Sequence, residues 1–308
     1  MMDWSDRHYR YFMRQVNSSA FLYTEMITTG ALIHGDVERH LAFSEEEHPV
    51  GLQLGGSEPE ELAHSAKLGE RYGYDEINLN IGCPSERVQR GAFGACLMAE
   101  PELVASCVRA IRDEVKIPIT VKHRTGVDSS ETYEFLKSFV EMVAKAGCRI
   151  FIVHARNAIL KGLSPKENRE IPPLKYDYVY RLKRDFPELE IVINGGITNR
   201  PQIEDHLARV DGVMLGRAAY HDPWVLADAG KTRAEVVARM VEYCRNLSEG
   251  EFSLRSVARH MLGLYHGMPR ARLWRRMLSD STRLARNDPG LLLEALEAVE
   301  AGSIMQAA

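Results

Sequence analysis

The chain has 308 residues, 45% of them hydrophobic and 27% charged, with a formal net charge of −4, ordinary composition for a soluble globular protein holding one large domain and a small one. No run approaches the roughly 18 apolar residues a membrane helix needs, and the opening MMDWSDRHYRYFMRQ puts charges where an export signal needs an apolar block. Cys83, Cys96, Cys107, Cys148 and Cys244 form an odd set without CxxC or Cys/His ligand spacing, so neither a disulfide framework nor a metal site is expected and a reducing cytoplasm fits best.

The first element is a helix. Ser5 or Asp6 can cap it, and Tyr9, Phe12, Met13 and Val16 keep helical spacing behind the cap. Met1 and Met2, just ahead of it, read as the last residues of a strand whose body lies upstream. Seven short apolar runs follow: FLYTEMI (21–27), PVGLQLGG (49–56), EINLNIG (76–82), PITVKHRTG (118–126), RIFIVHAR (149–156), EIVINGG (190–196) and DGVMLGRA (211–218). Amphipathic stretches such as PEELAHSAKLGERYG and ETYEFLKSFVEMVAKAG lie between them, so strands and helices alternate around a parallel sheet.

A doubly wound sheet and a barrel both fit that alternation, and two features favour a (β/α)8 TIM barrel whose first strand is truncated. Nearly every run ends in chemically capable groups: Glu25, Gln53, Asn78 and Asn80, Lys122 and Arg124, His154 and Arg156, Asn194, Arg217. A barrel assembles its site from many strand ends, whereas a doubly wound sheet concentrates it at one crevice. Glycines also follow the last two runs, as NGG at 194–196 and GR at 216–217, where barrels commonly bind phosphate on backbone N–H groups. Plain turn chemistry is the alternative for each pair.

Within NLNIGCPSERVQRGAFGACL (78–97), Cys83 stands at a strand's C-terminal end, beside a proline that restricts its backbone. It reads either as a small apolar turn residue or as a reactive group. Lys122 ends an apolar strand, so it needs an anionic partner or a lowered pKa. A Schiff-base lysine and a plain surface lysine are the alternatives there. His154 is a rim histidine or a donor to a bound ligand.

After about residue 230 the strand pattern stops and four helical segments take over. Residues 231–308 hold 12 Lys and Arg against 9 Asp and Glu, a net +3, while the rest of the chain carries 27 against 34, a net −7. Between 255 and 286 eight arginines face one acid, Asp280. Such a helix lacks the interspersed partners of an ordinary solvated face and suits phosphate contact.

The segments MMDWSDRHYR, LYTEM, HPVGLQLGGS, GYDEINLNIGCPSERVQRGAFGACL, TVKHRTG, HAR, SPKENREIPPL, INGGI and DGVMLGRAAY together resemble the tRNA-dihydrouridine synthases of the A-type. The resemblance covers nearly the full length, and the Asn-x-Gly-Cys-Pro run with Gly-Ala-Cys-Leu after it is its most specific part. It implies an FMN-binding barrel over 1–230 and a helical tRNA-binding domain over 231–308. It also implies NADPH-driven reduction of D-loop uridine, around position 20/20a, to dihydrouridine. By the same resemblance Cys83 is the general acid, and Met1, Met2, Gln53, Lys122, His154, Asn194, Gly195, Gly196, Gly216 and Arg217 hold FMN. Asn80 meets the flavin or the flipped uracil, and Lys166, Arg169, Arg272 and Arg275 contact tRNA.

The chemistry agrees with that assignment. Saturating the uracil 5,6 bond takes a hydride on one carbon and a proton on its neighbour, so an acid must face the flavin across the base. A free thiol titrates near about 8.5, is small and uncharged when protonated, and suits a site that admits a flat base. Two other readings remain: an FMN barrel acting on a free pyrimidine, which leaves the arginine-rich helix unexplained, and a non-catalytic tRNA-binding protein, which flavin content would separate from both enzymes.

Overall fold

The computed structural model describes residues 1–247 and 253–304. The chain forms two compact units. One comprises 21–43 and 48–216 together with Met1; the other comprises 2–20, 44–47 and the chain from Arg217 onward.

In the first unit all seven apolar runs are strands: β1 Leu22–Thr28, β2 Val50–Gly55, β3 Glu76–Ile81, β4 Ile119–Arg124, β5 Ile150–His154, β6 Glu190–Asn194 and β7 Gly212–Met214. They pair in parallel, in sequence order from β1 to β7. A doubly wound sheet reverses its strand order at a switch point, and this sheet never does, so the architecture is that of a (β/α) barrel. The helices Pro59–Arg71, Pro101–Glu114, Tyr133–Lys145, Tyr176–Asp185 and Arg200–Leu207 fall between strands as crossovers.

The two-residue period of a strand divides the side chains. Leu52 and Leu54 of β2, Ile77 and Leu79 of β3, Val121 of β4, Phe151 and Val153 of β5 and Ile191 and Ile193 of β6 are buried in one apolar cluster with Leu62, Val108, Leu136, Phe139 and Leu182 of the covering helices. Full burial of each large side chain contributes about 1.5–3 kcal/mol. Truncating one, as in Phe151→Ala, would cost about 3–5 kcal/mol. The alternate positions carry Gln53, Asn78, Asn80, Thr120, Lys122, Arg124, His154 and Asn194. Polar groups therefore occupy the face of the sheet that the helices do not cover.

In the second unit Asp6 caps the helix Arg7–Val16, its carboxylate accepting the Tyr9 N–H at 3.0 Å. Tyr9, Phe12, Met13 and Val16 are buried, as the spacing predicts. Arg10 and Glu47, both buried, form an ion pair at 2.6 Å. The helices Arg233–Asn246, Leu254–Met261, Ala271–Leu278 and Gly290–Ile304 realise the four expected segments, with one further turn at Ser281–Leu284. Thr232 and Glu235 close a capping box at the first of these. No helix of the described residues is long and apolar enough to cross a membrane.

Candidate active site

At the end of β3 the strand gives way to the loop that carries Cys83. Asn80 Oδ1 accepts the backbone N–H of Gly82 at 3.1 Å and of Cys83 at 3.0 Å. The Cys83 carbonyl accepts from Ala95 at 3.0 Å, and its thiol donates to Ser85 Oγ at 3.5 Å. A side chain at Gly94 would strike the Cys83 carbonyl at 2.6 Å, and Gly94 has φ +77°, so the loop can lie this close only with glycine there. The half-buried thiol is thus fixed through its backbone from two sides.

Beneath it a chain of amides crosses the sheet. Asn80 Nδ2 donates to Gln53 Oε1 at 2.9 Å, Gln53 Nε2 to Asn78 Oδ1 at 2.8 Å, and Asn78 Nδ2 to Thr120 Oγ1 at 2.7 Å. Thr120 then donates to Glu76 at 2.5 Å. Register explains the path: Gln53 lies opposite Asn78, Asn78 opposite Thr120, and Asn80 opposite Lys122. Asn78 and Thr120 are fully buried. Such groups are tolerated because each one finds a partner.

The far side of the site is basic. Lys122 Nζ donates to Asn194 Oδ1 at 3.2 Å, and Asn194 Nδ2 to the Met214 carbonyl at 2.8 Å. Burial, and then neighbouring Arg124, push the Lys122 ammonium down to about 8. His154, opposite both Arg124 and Asn194 in register, is held well below the ordinary histidine range by burial and by Arg124, Lys122, Arg156 and Arg169. Its Nδ1 is buried and without a hydrogen-bond partner. Beyond it Gly195 and Gly196 have φ of +111° and +75°, and a Cβ on Gly195 would sit 3.2 Å from His154 Nε2. An enclosed imidazole with an open nitrogen, a surround of like positive charges and a glycine turn against the ring fit an anionic, ring-bearing ligand such as FMN. Met1 Sδ lies 3.4 Å from where a side chain on Gly216 would project.

Two residues expected at the same site, Met2 and Arg217, belong to the second unit. Met2 is exposed and Arg217 begins the short helix Arg217–His221. Lys166 and Arg169 are exposed on the loop after β5, flanking Asn168, which is fully buried. Asn168 pins that loop with side-chain bonds to both backbone groups of Ile159, at 2.8 Å each. In the second unit Trp274 and Leu278 turn one face of Ala271–Leu278 inward, and Trp274 Nε1 donates to the Met261 carbonyl at 2.8 Å. Arg272 and Arg275 stand exposed on the other face and, with His266, Met268 and Arg270, line a surface hollow of about 470 Å³. Not every arginine of the run is available: Arg259 pairs with Asp6 at 2.6 Å and Arg283 with Glu294 at 3.3 Å. Among the described residues Arg272 and Arg275 have no ion-pair partner.

The family model described as dihydrouridine synthase (Dus) matches residues 1–301. The chain belongs to the dihydrouridine synthase family. It is 56% identical to the tRNA-dihydrouridine(20/20a) synthase of Synechocystis sp., over 97% of this chain and 92% of that protein. It is 55% identical to the protein of the same name from Escherichia coli K12, over 97% of this chain and 90% of that one. Among solved structures, a 2-naphthoyl-CoA reductase in complex with 2-naphthoyl-CoA superposes with a TM-score of 0.54 at 13% identity, covering 73% of this chain and 46% of the other, a likeness of fold alone.

Within this dihydrouridine synthase one residue is more central than its sequence suggested. Arg124, only 4% exposed, donates through Nε to the Gly82 carbonyl at 2.9 Å. Its Nη1 reaches the Asn168 carbonyl at 2.8 Å and the Asn157 carbonyl at 3.1 Å. One guanidinium therefore ties the Cys83 loop to the Lys166–Arg169 loop. The available signal was an arginine at the inward end of a strand, two residues after Lys122. Its partners are backbone carbonyls of other loops, which no side-chain motif announces.

Proposed function

We propose that this chain is a tRNA-dihydrouridine synthase that reduces D-loop uridines 20 and 20a, with FMN as bound cofactor and NADPH as reductant. The observation that carries the reading is the register of β3 on β4. It sets Asn80, which holds the Cys83 backbone, beside Lys122 on the neighbouring strand, which supports a reading in which a thiol and a positive charge serve one ring site. The family membership and the names of the relatives support it.

The carbon–carbon double bond of uracil is conjugated to the C4 carbonyl, so C6 is the electrophilic end. When bound, FMN supplies the hydride for that carbon. Cys83 gives its proton to C5, where the electron pair accumulates, and recovers it from solvent. Carbon accepts protons slowly, so the fixed position of Cys83 matters more than its acid strength. Lys122 would supply positive charge beside the ring, Gln53 and Asn80 would present oriented amides, and Met1, His154, Asn194, Gly195, Gly196 and Gly216 would hold the cofactor's polar groups.

The target base lies inside folded tRNA and must be drawn out before it can enter so enclosed a mouth. Lys166 and Arg169 beside the mouth, and Arg272 and Arg275 on the helical domain, grip phosphates and set which uridine enters. We assign flavin and base chemistry to residues 1–230, with Lys166 and Arg169 there adding to the tRNA grip of residues 231–308, and place the reaction in the cytoplasm. The test is an absorbance spectrum of the purified protein, followed by dihydrouridine analysis of unmodified tRNA incubated with NADPH. A colourless protein that leaves the tRNA unchanged after FMN is added would refute the proposal.

A further inference from the structure

The hydroxyl of Tyr176 donates to the Gly195 carbonyl at 2.6 Å. Tyr176 opens the helix Tyr176–Asp185, and its ring is set edge-on to His206 at 4.6 Å between centroids. The segment before it is anchored in turn, because the Lys175 N–H donates to the Ala155 carbonyl at 2.7 Å, just past β5. A Cβ on Gly196 would lie 2.9 Å from the Tyr176 hydroxyl and 2.7 Å from Leu174 Cδ1, so the turn and residues 174–176 are in direct contact.

The Gly195 carbonyl and the Gly196 N–H belong to one peptide plane and point in opposite directions, since that peptide is trans. Fixing the carbonyl therefore fixes the donor. The Gly196 N–H has no hydrogen-bond partner among the described residues, whereas before the turn the Asn194 carbonyl accepts from the Ala155 N–H at 2.8 Å and after it the Thr198 N–H donates to Gln202 Oε1 at 2.8 Å. We infer that Tyr176 is a positioning residue for the phosphate of the flavin: by holding the Gly195 carbonyl it aims the Gly196 N–H at that phosphate. The inference rests on the FMN reading of the barrel mouth. It also gives this tyrosine a role in discrimination, since riboflavin has the same ring system and no phosphate.

The experiment is titration of the full chain, freed of flavin, with FMN and separately with riboflavin, for the parent and for Tyr176→Phe. The variant keeps the ring and its contact with His206 and removes one hydrogen bond. FMN should bind about three- to tenfold more weakly, riboflavin should bind within twofold of the parent, and the ³¹P resonance of bound FMN should move. Equal losses for both flavins would reduce Tyr176 to ring packing and overturn the inference, as would an unchanged preference for FMN. If the parent chain binds neither flavin, the reading of the mouth itself is wrong and the inference falls with it.

Discussion

Asn80 Oδ1 accepts the Cys83 N–H at 3.0 Å while the same side chain donates to Gln53 Oε1 at 2.9 Å. One amide thus joins the backbone of Cys83, the proposed acid, to the row of amides beneath it. Asn80→Ala removes two acceptor bonds from the Gly82–Cys83 turn, each worth about 0.5–1.5 kcal/mol. Dihydrouridine formation should fall about tenfold or more while NADPH-driven flavin bleaching stays near the parent rate. Asn80→Asp keeps the acceptor and should recover part of the loss. Rapid-mixing absorbance separates the two half-reactions, and parallel losses in both would show that Asn80 serves the flavin instead.

The proposed role of Cys83 makes proton delivery separable from hydride delivery. Cys83→Ala leaves the backbone contacts to Asn80 and Ala95 available, so flavin should remain bound and bleach normally with NADPH. Reoxidation by tRNA should slow about 10²- to 10⁴-fold, the usual contribution of a placed general acid. An alanine variant that makes dihydrouridine at the parent rate would move the acid elsewhere.

The Lys122 ammonium, lowered to about 8 by burial and by Arg124, sets a pH window. It is charged below about pH 8 and increasingly neutral above. Negative charge on a reduced flavin beside it favours the charged form, so reduction should take up an extra proton just above pH 8. For a two-electron couple one proton corresponds to about 30 mV per pH unit. The midpoint potential of the bound flavin should therefore fall more steeply with pH in the parent than in Lys122→Met, by up to about 30 mV per unit between pH 8 and 10. Parallel slopes for the two proteins would separate Lys122 from the ring.

The strands were legible because each is a short run of β-branched and apolar residues stopped by glycine or a charged group, and such runs have few other uses. The candidate site was legible only as side chains near strand ends: Gln53, Asn80, Lys122, His154 and Asn194 all lie along one side of the sheet. What did not show is partnership at a distance. That Asn78 meets Thr120 depends on strand register, that Arg124 meets Asn168 depends on the path of a loop 44 residues on, and that Tyr176 meets Gly195 depends on where a helix starts. The arginine count also overstated the free charge. Arg259 finds Asp6, which lies 253 residues earlier in the chain.

The proposed tRNA surface is thus narrowed to the arginines left open, among them Arg272 and Arg275, which line one surface hollow. They lie three residues apart on a helix held by Trp274, which is fully buried and bonded to the Met261 carbonyl. Removing their charges should leave the fold intact, so the melting temperature of the double alanine variant should match the parent within about a degree. Phosphate contacts act by releasing counterions, and each lost contact lowers the slope of log affinity against log salt by about 0.7–0.9. Arg272→Ala with Arg275→Ala should therefore weaken tRNA binding at low salt and flatten that slope by about one to two, while flavin reduction by NADPH proceeds unchanged. A base-reading pair would instead lower affinity for one tRNA at constant slope. Filter binding at several salt concentrations distinguishes these outcomes, and an unaltered affinity and slope would remove this helix from the tRNA interface.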